Sequence, residues 1–319
     1  MLTSDQSESV TLAPRQLDYV LITPARNEAR YIESTIKSMV AQTVKPMKWV
    51  IVSDGSTDGT DEIVLAYAQD HPWIQLARTP ERSERHFAGK VFAFNVGRGL
   101  ASQVHFDIIG NLDADVSFEP DYMAYLLDQF AADPRLGVAG TPYVEEKSAS
   151  AHRFSNLNDV PGACQLFRRE CFEEMGGYQP MKGGGIDHVA FLTARMNGWN
   201  TKAFSERVLL HHRPNGTALK GGAASRYRIG VLDYALGTHP LWEAFRILYQ
   251  IAARRPYGIG GCFMLAGYLS ACVRRKERQI SPALVEFRRR EQMQRLRSVV
   301  GRALNPRFTR KALANESGK

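Results

Sequence analysis

Residues 47–69 read MKWVIVSDGSTDGTDEIVLAYAQ. Trp49 to Val52 is a short, uninterrupted apolar run that stops at Ser53-Asp54. A run of that length, bounded by turn residues, predicts a buried strand over 47–54. Gly55 to Gly59 is turn chemistry. Beyond it Ile63, Val64, Tyr67 and Ala68 fall on one helical stripe. The stretch is therefore a strand, a polar turn and an amphipathic helix.

The same unit recurs on either side. DYVLITP (18–24) predicts a strand, and ARNEARYIESTIKSMVAQ follows with Ile32, Ile36, Met39 and Val40 on one stripe. WIQLAR (73–78), HFDIIGNLDAD (105–115) and LGVAGTPYV (136–144) predict further strands. Residues 90–102 and 120–133 predict the helices between them, the second with Pro120 at its start, where proline is tolerated. Strands alternating with helices of this length predict an α/β domain built on a mostly parallel sheet. Ligands of such sheets lie beyond the carboxyl ends of the strands. Three polar clusters fall at those ends: Thr23 to Glu28, Ser53 to Asp58 and Asn111 to Asp115.

The missing motifs narrow the chemistry. The first strand-to-helix turn, Pro24-Ala25-Arg26-Asn27-Glu28, carries no G-x-G-x-x-G, which disfavours a dinucleotide site. The chain has neither G-x-x-x-x-G-K-[ST] nor G-x-S-x-G, so P-loop and serine-hydrolase readings fall away. Asp113-Ala114-Asp115 ends an apolar strand, where residues two apart face the same way. Two such carboxylates suit a divalent cation shared with phosphate oxygens. Asp54 ends its strand where a carboxylate can accept the imide N–H of a pyrimidine. Ser56, Thr57 and Asp58 have the residue types of helix caps.

The second half is less regular. NLNDVPGACQLFRRECFEEMGGY predicts a strand and a helix, VAFLTARMNGW (189–199) a helix closing near Gly198, and TKAFSERVLLHH a closing strand. The run KGGGIDHVAF (182–191) places Asp187 and His188 after three glycines, where Asp187 is either a helix cap or a proton acceptor. Residues 225–253 predict helix. Residues 257–273 carry no charge and four glycines, short of the roughly 20 residues of a spanning helix. An in-plane membrane segment and a buried helix both fit them.

The 319 residues carry a formal net charge of +8. Residues 274–311 hold 13 Lys plus Arg against three acids, so the basicity belongs to the C-terminal helix predicted over 281–311. Such a tail suits anionic lipid head groups or nucleic acid, or is simply a solvated helix face. Residues 1–16 read as a loose polar tail with no signal-peptide core, and four cysteines without a C-x-x-C pair as reduced cytosolic thiols.

Taken together, LITPARNEARYIESTIKSMVAQT, VIVSDGSTDGTDEIV, GKVFAFNVG and IIGNLDADVSFEPDYM resemble, in order and spacing, a family 2 glycosyltransferase of the GT-A fold. GACQLFRRECFEEMGGY followed by GGGIDHVAFLTARMNGW resembles that family's acceptor-side segment, which ends in a Glu-Asp motif. The resemblance covers about residues 17–213. It implies a catalytic domain there, with a nucleotide-binding half at 17–116 and an acceptor half at 117–213, and a helical extension at 214–319. It implies that Pro24, Ala25, Glu28 and Asp54 surround the nucleoside, that Lys90 lies near the base or diphosphate, and that Asp113 contacts ribose or sugar. Asp115 is the implied ligand of Mg²⁺ or Mn²⁺, with His211 or His212 completing the metal shell. Asp187 is the implied general base of an inverting transfer, and the glycines before it a loop able to close over a donor.

Two features depart from the family pattern. Its Glu is Ile186 here, with His188 either a polar residue of the helix's first turn, the favoured reading, or a partial substitute, and the Q-x-x-R-W of processive members is absent, the nearest residues being Arg226 and Arg228. The expectation is transfer of one sugar from a nucleotide-diphosphate donor, a UDP-sugar first, to a hydroxyl acceptor. That acceptor is expected to be lipid-linked, at the inner face of the cytoplasmic membrane. Arg82 and Arg85 are further candidates to face the diphosphate. The rivals are a nucleotidyltransferase, which would not need Asp187, and a non-catalytic nucleic-acid or membrane-binding module. Acids clustered at the strand ends speak against nucleic acid.

Overall fold

The computed structural model describes residues 16–80, 87–145, 157–213, 222–253 and 259–304. Arg82, Arg85, residues 1–15 and the end of the basic tail lie outside the described residues. The described chain groups into two units. One holds the segments up to residue 85, Gly89–Gly177 and Trp199–His212. The other holds His86–Ala88, Tyr178–Gly198 and the chain from Arg213 onward.

The first unit is built on a seven-stranded sheet. Its strands are β1 (Tyr19–Ala25), β2 (Lys48–Asp54), β3 (Ile74–Thr79), β4 (Ile108–Leu112), β6 (Leu136–Gly140), β8 (Cys164–Arg168) and β9 (Asn200–Ala203). Their order is β3-β2-β1-β4-β8-β6-β9. The pairs β3-β2, β2-β1, β1-β4 and β6-β9 are parallel, and β8 runs antiparallel to both its neighbours. Alternation along the strands explains the apolar runs. Tyr19, Leu21, Trp49 and Ile51 pack in one core with Ile32, Ile36 and Met39 of α1 (Ile32–Val40), Val64 of α2 (Thr60–Asp70) and Leu126 of α4 (Tyr122–Ala132). Ile22 and Val52 point the other way, onto α3 (Phe87–Ala101). There Gly97 is required, because a Cβ would lie 2.5 Å from Ile22 Cγ2. A sheet covered on both faces needs strands that are apolar throughout.

The segments 136–144 and 201–212, each expected as one strand, split in two. Their ends form a second sheet with β5 (Val116–Ser117): β7 (Tyr143–Glu145) and β10 (Leu209–His211), in the order β5-β10-β7. Strands of two or three residues carry no readable period, so only pairing defines them.

The second unit is helical. It contains α6 (Ile186–Met196), α7 (Gly222–Ala235), α8 (Pro240–Ala253), α9 (Ile259–Val273) and α10 (Pro282–Leu304), while α5 (Arg169–Glu174) belongs with the sheet. Two glycines let α7 and α9 touch backbone to backbone. A Cβ on Gly230 would fall 2.0 Å from the Met264 carbonyl oxygen, and one on Gly267 2.0 Å from that of Tyr227. Helix α9 is thus packed on one side, where Gly260, Gly261, Met264, Gly267 and Ala271 are buried, and leaves Phe263, Leu265, Leu269 and Val273 exposed. Its 15 residues span about 22 Å, and among the described residues no helix is long and apolar enough to cross a membrane.

Helix α10 is not simply a solvated basic face. Arg288 is 5% exposed; its Nη1 donates to the Leu236 carbonyl, and Arg289 Nε donates to that of Gly237. Cations at the end of α7 satisfy carbonyls that have no intrahelical partner.

Candidate active site

The first two strand-to-helix turns are tied together. Asn27 adopts a left-handed backbone (φ 56), which an asparagine tolerates better than most residues. Its N–H donates to Ser56 Oγ, and its Oδ1 accepts from the Thr57 N–H. Glu28 N–H donates to Thr60 Oγ1 and Ala29 N–H to Asp58 Oδ2. Asp58 Oδ1 also accepts from Thr60. Burial alone would raise the Asp58 carboxyl; the hydrogen bonds from Thr60 and Ala29 outweigh it and hold the group below its ordinary range. The residue preceding α2 is Gly59 in the left-handed region, with no side-chain cap, so Asp58 bridges the two turns as well as bonding Thr60.

Between these turns stands Asp54, 8% exposed at the carboxyl end of β2. Its Oδ1 accepts from Thr79 Oγ1 at 2.8 Å. Thr79 carries no signal in the sequence as a site residue; the β2–β3 register sets it directly opposite Asp54. On the other side Gly89 of α3 leaves room for the acid: a Cβ there would sit 3.3 Å from Asp54 Oδ2. Pro24 and Ala25 close β1 opposite Val52 and Ser53, and Glu28 is buried beyond them.

Asp113 and Asp115 do not lie on an extended strand, as the alternation argument assumed. They occupy the turn between β4 and β5, and the turn itself brings them together. Asp113 Oδ1 accepts from Lys90 Nζ at 2.6 Å and Asn111 Nδ2 at 3.2 Å, and Asn111 is itself anchored to the Gly162 carbonyl. The small sheet supplies the third member. Because β10 pairs with β5, His211 stands opposite Val116, next to Asp115. His211 Nε2 lies 3.5 Å from Asp115 Oδ1, and both residues are 7% exposed. One ligand atom each from Asp113, Asp115 and His211 falls within 4.8 Å of the others. Two carboxylates and an imidazole are a donor set that fits Mn²⁺ well and Mg²⁺ less well. His212 is outside this group: its ring stacks on Tyr31 at 6.2 Å and 6°, and its backbone N–H donates to the Asp115 carbonyl.

In the helical unit, α6 begins three residues earlier than expected, so Asp187 lies in its first turn, half-buried. The capping position belongs to Gly185 (φ 84), without a side-chain cap bond, which removes the cap reading for Asp187. A carboxylate there is favoured by the helix N-terminus. Ile186 is buried. His188 does not replace the missing acid as an ionised group. Burial, then the positive charges of Arg288, Arg195 and Arg246, push its imidazole well below the usual range, and its Nε2 is buried without a partner. The glycine run is tied to the helical unit by hydrogen bonds. Lys182 N–H donates to Gln279 Oε1, Arg228 Nη2 donates to the Gly183 carbonyl, and Gly185 packs on Leu232 and Leu236.

Residues 20–151 match the family model described as Glycosyl transferase family 2. That match covers less than half of the chain, and the sheet unit has a GT-A-like fold. Among curated relatives, poly-beta-1,6-N-acetyl-D-glucosamine synthase of Staphylococcus aureus is 31% identical over 170 residues, which is 47% of this chain and 39% of that protein. The Staphylococcus epidermidis synthase is 24% identical over the same length. The chain thus spans well under half the length of the curated relatives it matches. Among solved structures, the mannosyltransferase PcManGT from Pyrobaculum calidifontis, in complex with GDP-Man and Mn²⁺, superposes with a TM-score of 0.56 at 21% identity, covering 94% of this chain and 85% of that one. S. aureus TarS 1-349 with UDP-GlcNAc gives 0.53 at 13% identity, covering 76% and 75%.

Proposed function

We propose that this chain is an inverting glycosyltransferase that moves one sugar from a nucleotide-diphosphate donor to a hydroxyl acceptor in the synthesis of a cell-surface polysaccharide or glycolipid. The observation that carries the reading is the meeting of Asp113, Asp115 and His211 just beyond the carboxyl end of β4, in a sheet where β2, one strand removed across β1, ends in buried Asp54. Asp54, held by Thr79, is placed to accept an N–H from the donor base. Lys90 and Asn111 fix Asp113 for the ribose or sugar. Asp113, Asp115 and His211 would hold a divalent cation, which when bound offsets charge on the departing diphosphate. Asp187 takes the proton of the acceptor hydroxyl while that oxygen bonds to the anomeric carbon and the bond to the diphosphate oxygen breaks. Attack from the face opposite the diphosphate inverts the configuration.

A UDP-sugar is the first candidate donor, since the synthases and TarS are named for or solved with N-acetylglucosamine chemistry; PcManGT with GDP-Man keeps a guanine donor in the test. The missing Q-x-x-R-W favours transfer of one sugar over the polymerisation in the synthases' name. A lipid-linked acceptor and a peripheral place at the inner membrane face fit the exposed apolar side of α9 beside Arg274 and Arg275. The test is a thermal-shift screen of UDP, GDP and their sugars with and without Mn²⁺, followed by turnover of Asp187→Asn. A metal-dependent shift with one nucleotide class, and a loss of about 10²- to 10⁴-fold in kcat for Asp187→Asn, are expected. No nucleotide effect refutes the transferase reading. Intact turnover in Asp187→Asn removes the base and favours a nucleotidyltransferase.

A further inference from the structure

The helical unit contains a cavity of about 220 Å³ that the chemistry above does not use. Lys182, Arg228, Lys276 and Gln279 line it together with the apolar side chains of Val231 and Leu232. Among the described residues neither Lys182 nor Lys276 forms an ion pair, whereas Arg195, Arg246 and Arg288 of the same unit do. Lys182 and Lys276 bring like charges to one small cavity that Arg228 also lines, an arrangement that favours an anion there. The cavity is smaller than the usual pocket for a whole ligand of roughly 300 Å³ or more, and suits a single charged group.

Its walls are held in place. Lys182 N–H donates to Gln279 Oε1 at 2.8 Å, and Arg228 Nη2 to the Gly183 carbonyl at 3.1 Å. The left-handed backbone of Gly184 and Gly185 then turns the chain into α6. Lys182 is therefore on the same anchored segment as Asp187, five residues before it. Lys276 follows the end of α9, beside exposed Val273, Arg274 and Arg275.

We propose that this cavity is a subsite for a phosphate or diphosphate group carried by the acceptor. The inference rests on the glycosyltransferase reading and adds the acceptor's charge to it. Lysine and arginine supply the charge, and the Gln279 amide and the apolar floor fit the group's uncharged continuation. The phosphate belongs either to a lipid head group or to a soluble or polymeric phosphate ester.

The test uses the full chain without divalent cation, so that the carboxylates repel anions. Inorganic pyrophosphate is titrated by calorimetry into the wild type, the exposed double variant Lys182→Ala/Lys276→Ala, and Asp115→Asn. Binding is expected to weaken at least about tenfold in the double variant, to survive in Asp115→Asn, and to fall with added salt. UDP with Mn²⁺, titrated into the same proteins, should show the opposite pattern. If pyrophosphate fails to bind the wild type, or the double variant binds it unchanged, the subsite is refuted. Failure of UDP to bind anywhere refutes the donor reading and leaves the pyrophosphate result to decide the cavity alone. Phosphatidylcholine vesicles with and without phosphatidic acid assign the source. Phosphatidate-dependent capture lost in the double variant identifies a lipid phosphate, and pyrophosphate binding without such capture identifies a soluble or polymeric one.

Discussion

His211 and His212 show how one residue's place in a strand decides its chemistry. Neighbours along a strand face opposite sides. From the sequence alone the two histidines were equivalent; the pairing of β10 with β5 separates them. His211 points to Asp115, and His212 to Tyr31. His211→Ala is expected to weaken Mn²⁺ affinity by about tenfold or more, and His212→Ala to leave it within about threefold. Mn²⁺ titration followed by electron paramagnetic resonance distinguishes them, and a larger loss in His212→Ala overturns the assignment. The acids were easier to find, because Asp54, Asp113 and Asp115 each end an apolar run and nothing in a core accounts for them. Thr79 was not, since its value depends on register with a strand 25 residues away.

At the scale of elements, legibility followed length. The strands β1 to β4 and helices α1 to α4 could be read because each carries a full apolar stripe or run. The strand β8 was legible as an apolar run, but its antiparallel direction was not, and the three short strands of the second sheet have no local signature; their backbone groups find partners only after folding. The glycines of α9 were visible as a composition but not as a contact. They mark the line where α7 approaches. Gly267→Ala must push two backbones apart and is expected to cost about 1–3 kcal/mol. Gly301→Ala, in an exposed part of α10 with open space around it, is expected to gain about 0.5–1 kcal/mol. Urea denaturation measures both. Equal effects would mean that the α7–α9 contact is not the tight one described.

At the scale of the whole molecule, the positive charge of the helical unit has two roles that a count cannot separate. Part of it is exposed, and part balances acids inside the helical unit. Arg246 Nη1 contacts Asp233 Oδ1 at 2.8 Å and Glu243 Oε2 at 3.2 Å, and Arg288 Nη2 lies 3.6 Å from Asp233. Glu243 is almost fully buried. Burial, then Asp233, push its carboxyl up to about 7, against the pull of Arg246 and Arg288. A carboxyl raised on folding stabilises the fold below its unfolded value near 4.5, and that contribution is lost as pH rises through about 7. His188 works in the opposite sense, since its depressed imidazole costs stability as pH falls below 6.5. Comparing Glu243→Gln with the wild type isolates the carboxyl. The difference in Tm should move in favour of Glu243→Gln between pH 5 and pH 8. A constant difference across that range would show that Glu243 titrates as an ordinary carboxylate.

The interlocked turns at the donor end have a consequence for how such sequences can diverge. Asn27 and Ser56 belong to different β-α units, yet Ser56 Oγ accepts from the Asn27 N–H, Asn27 Oδ1 accepts from the Thr57 N–H, and Asp58 accepts from the Ala29 N–H. A substitution in one turn strands a partner in the other, so effects of paired changes will not add. Positions 27, 56 and 58, whose side chains make these bonds, should therefore be constrained as a set in related chains, whereas position 29, which gives only its backbone N–H, tolerates any residue but proline.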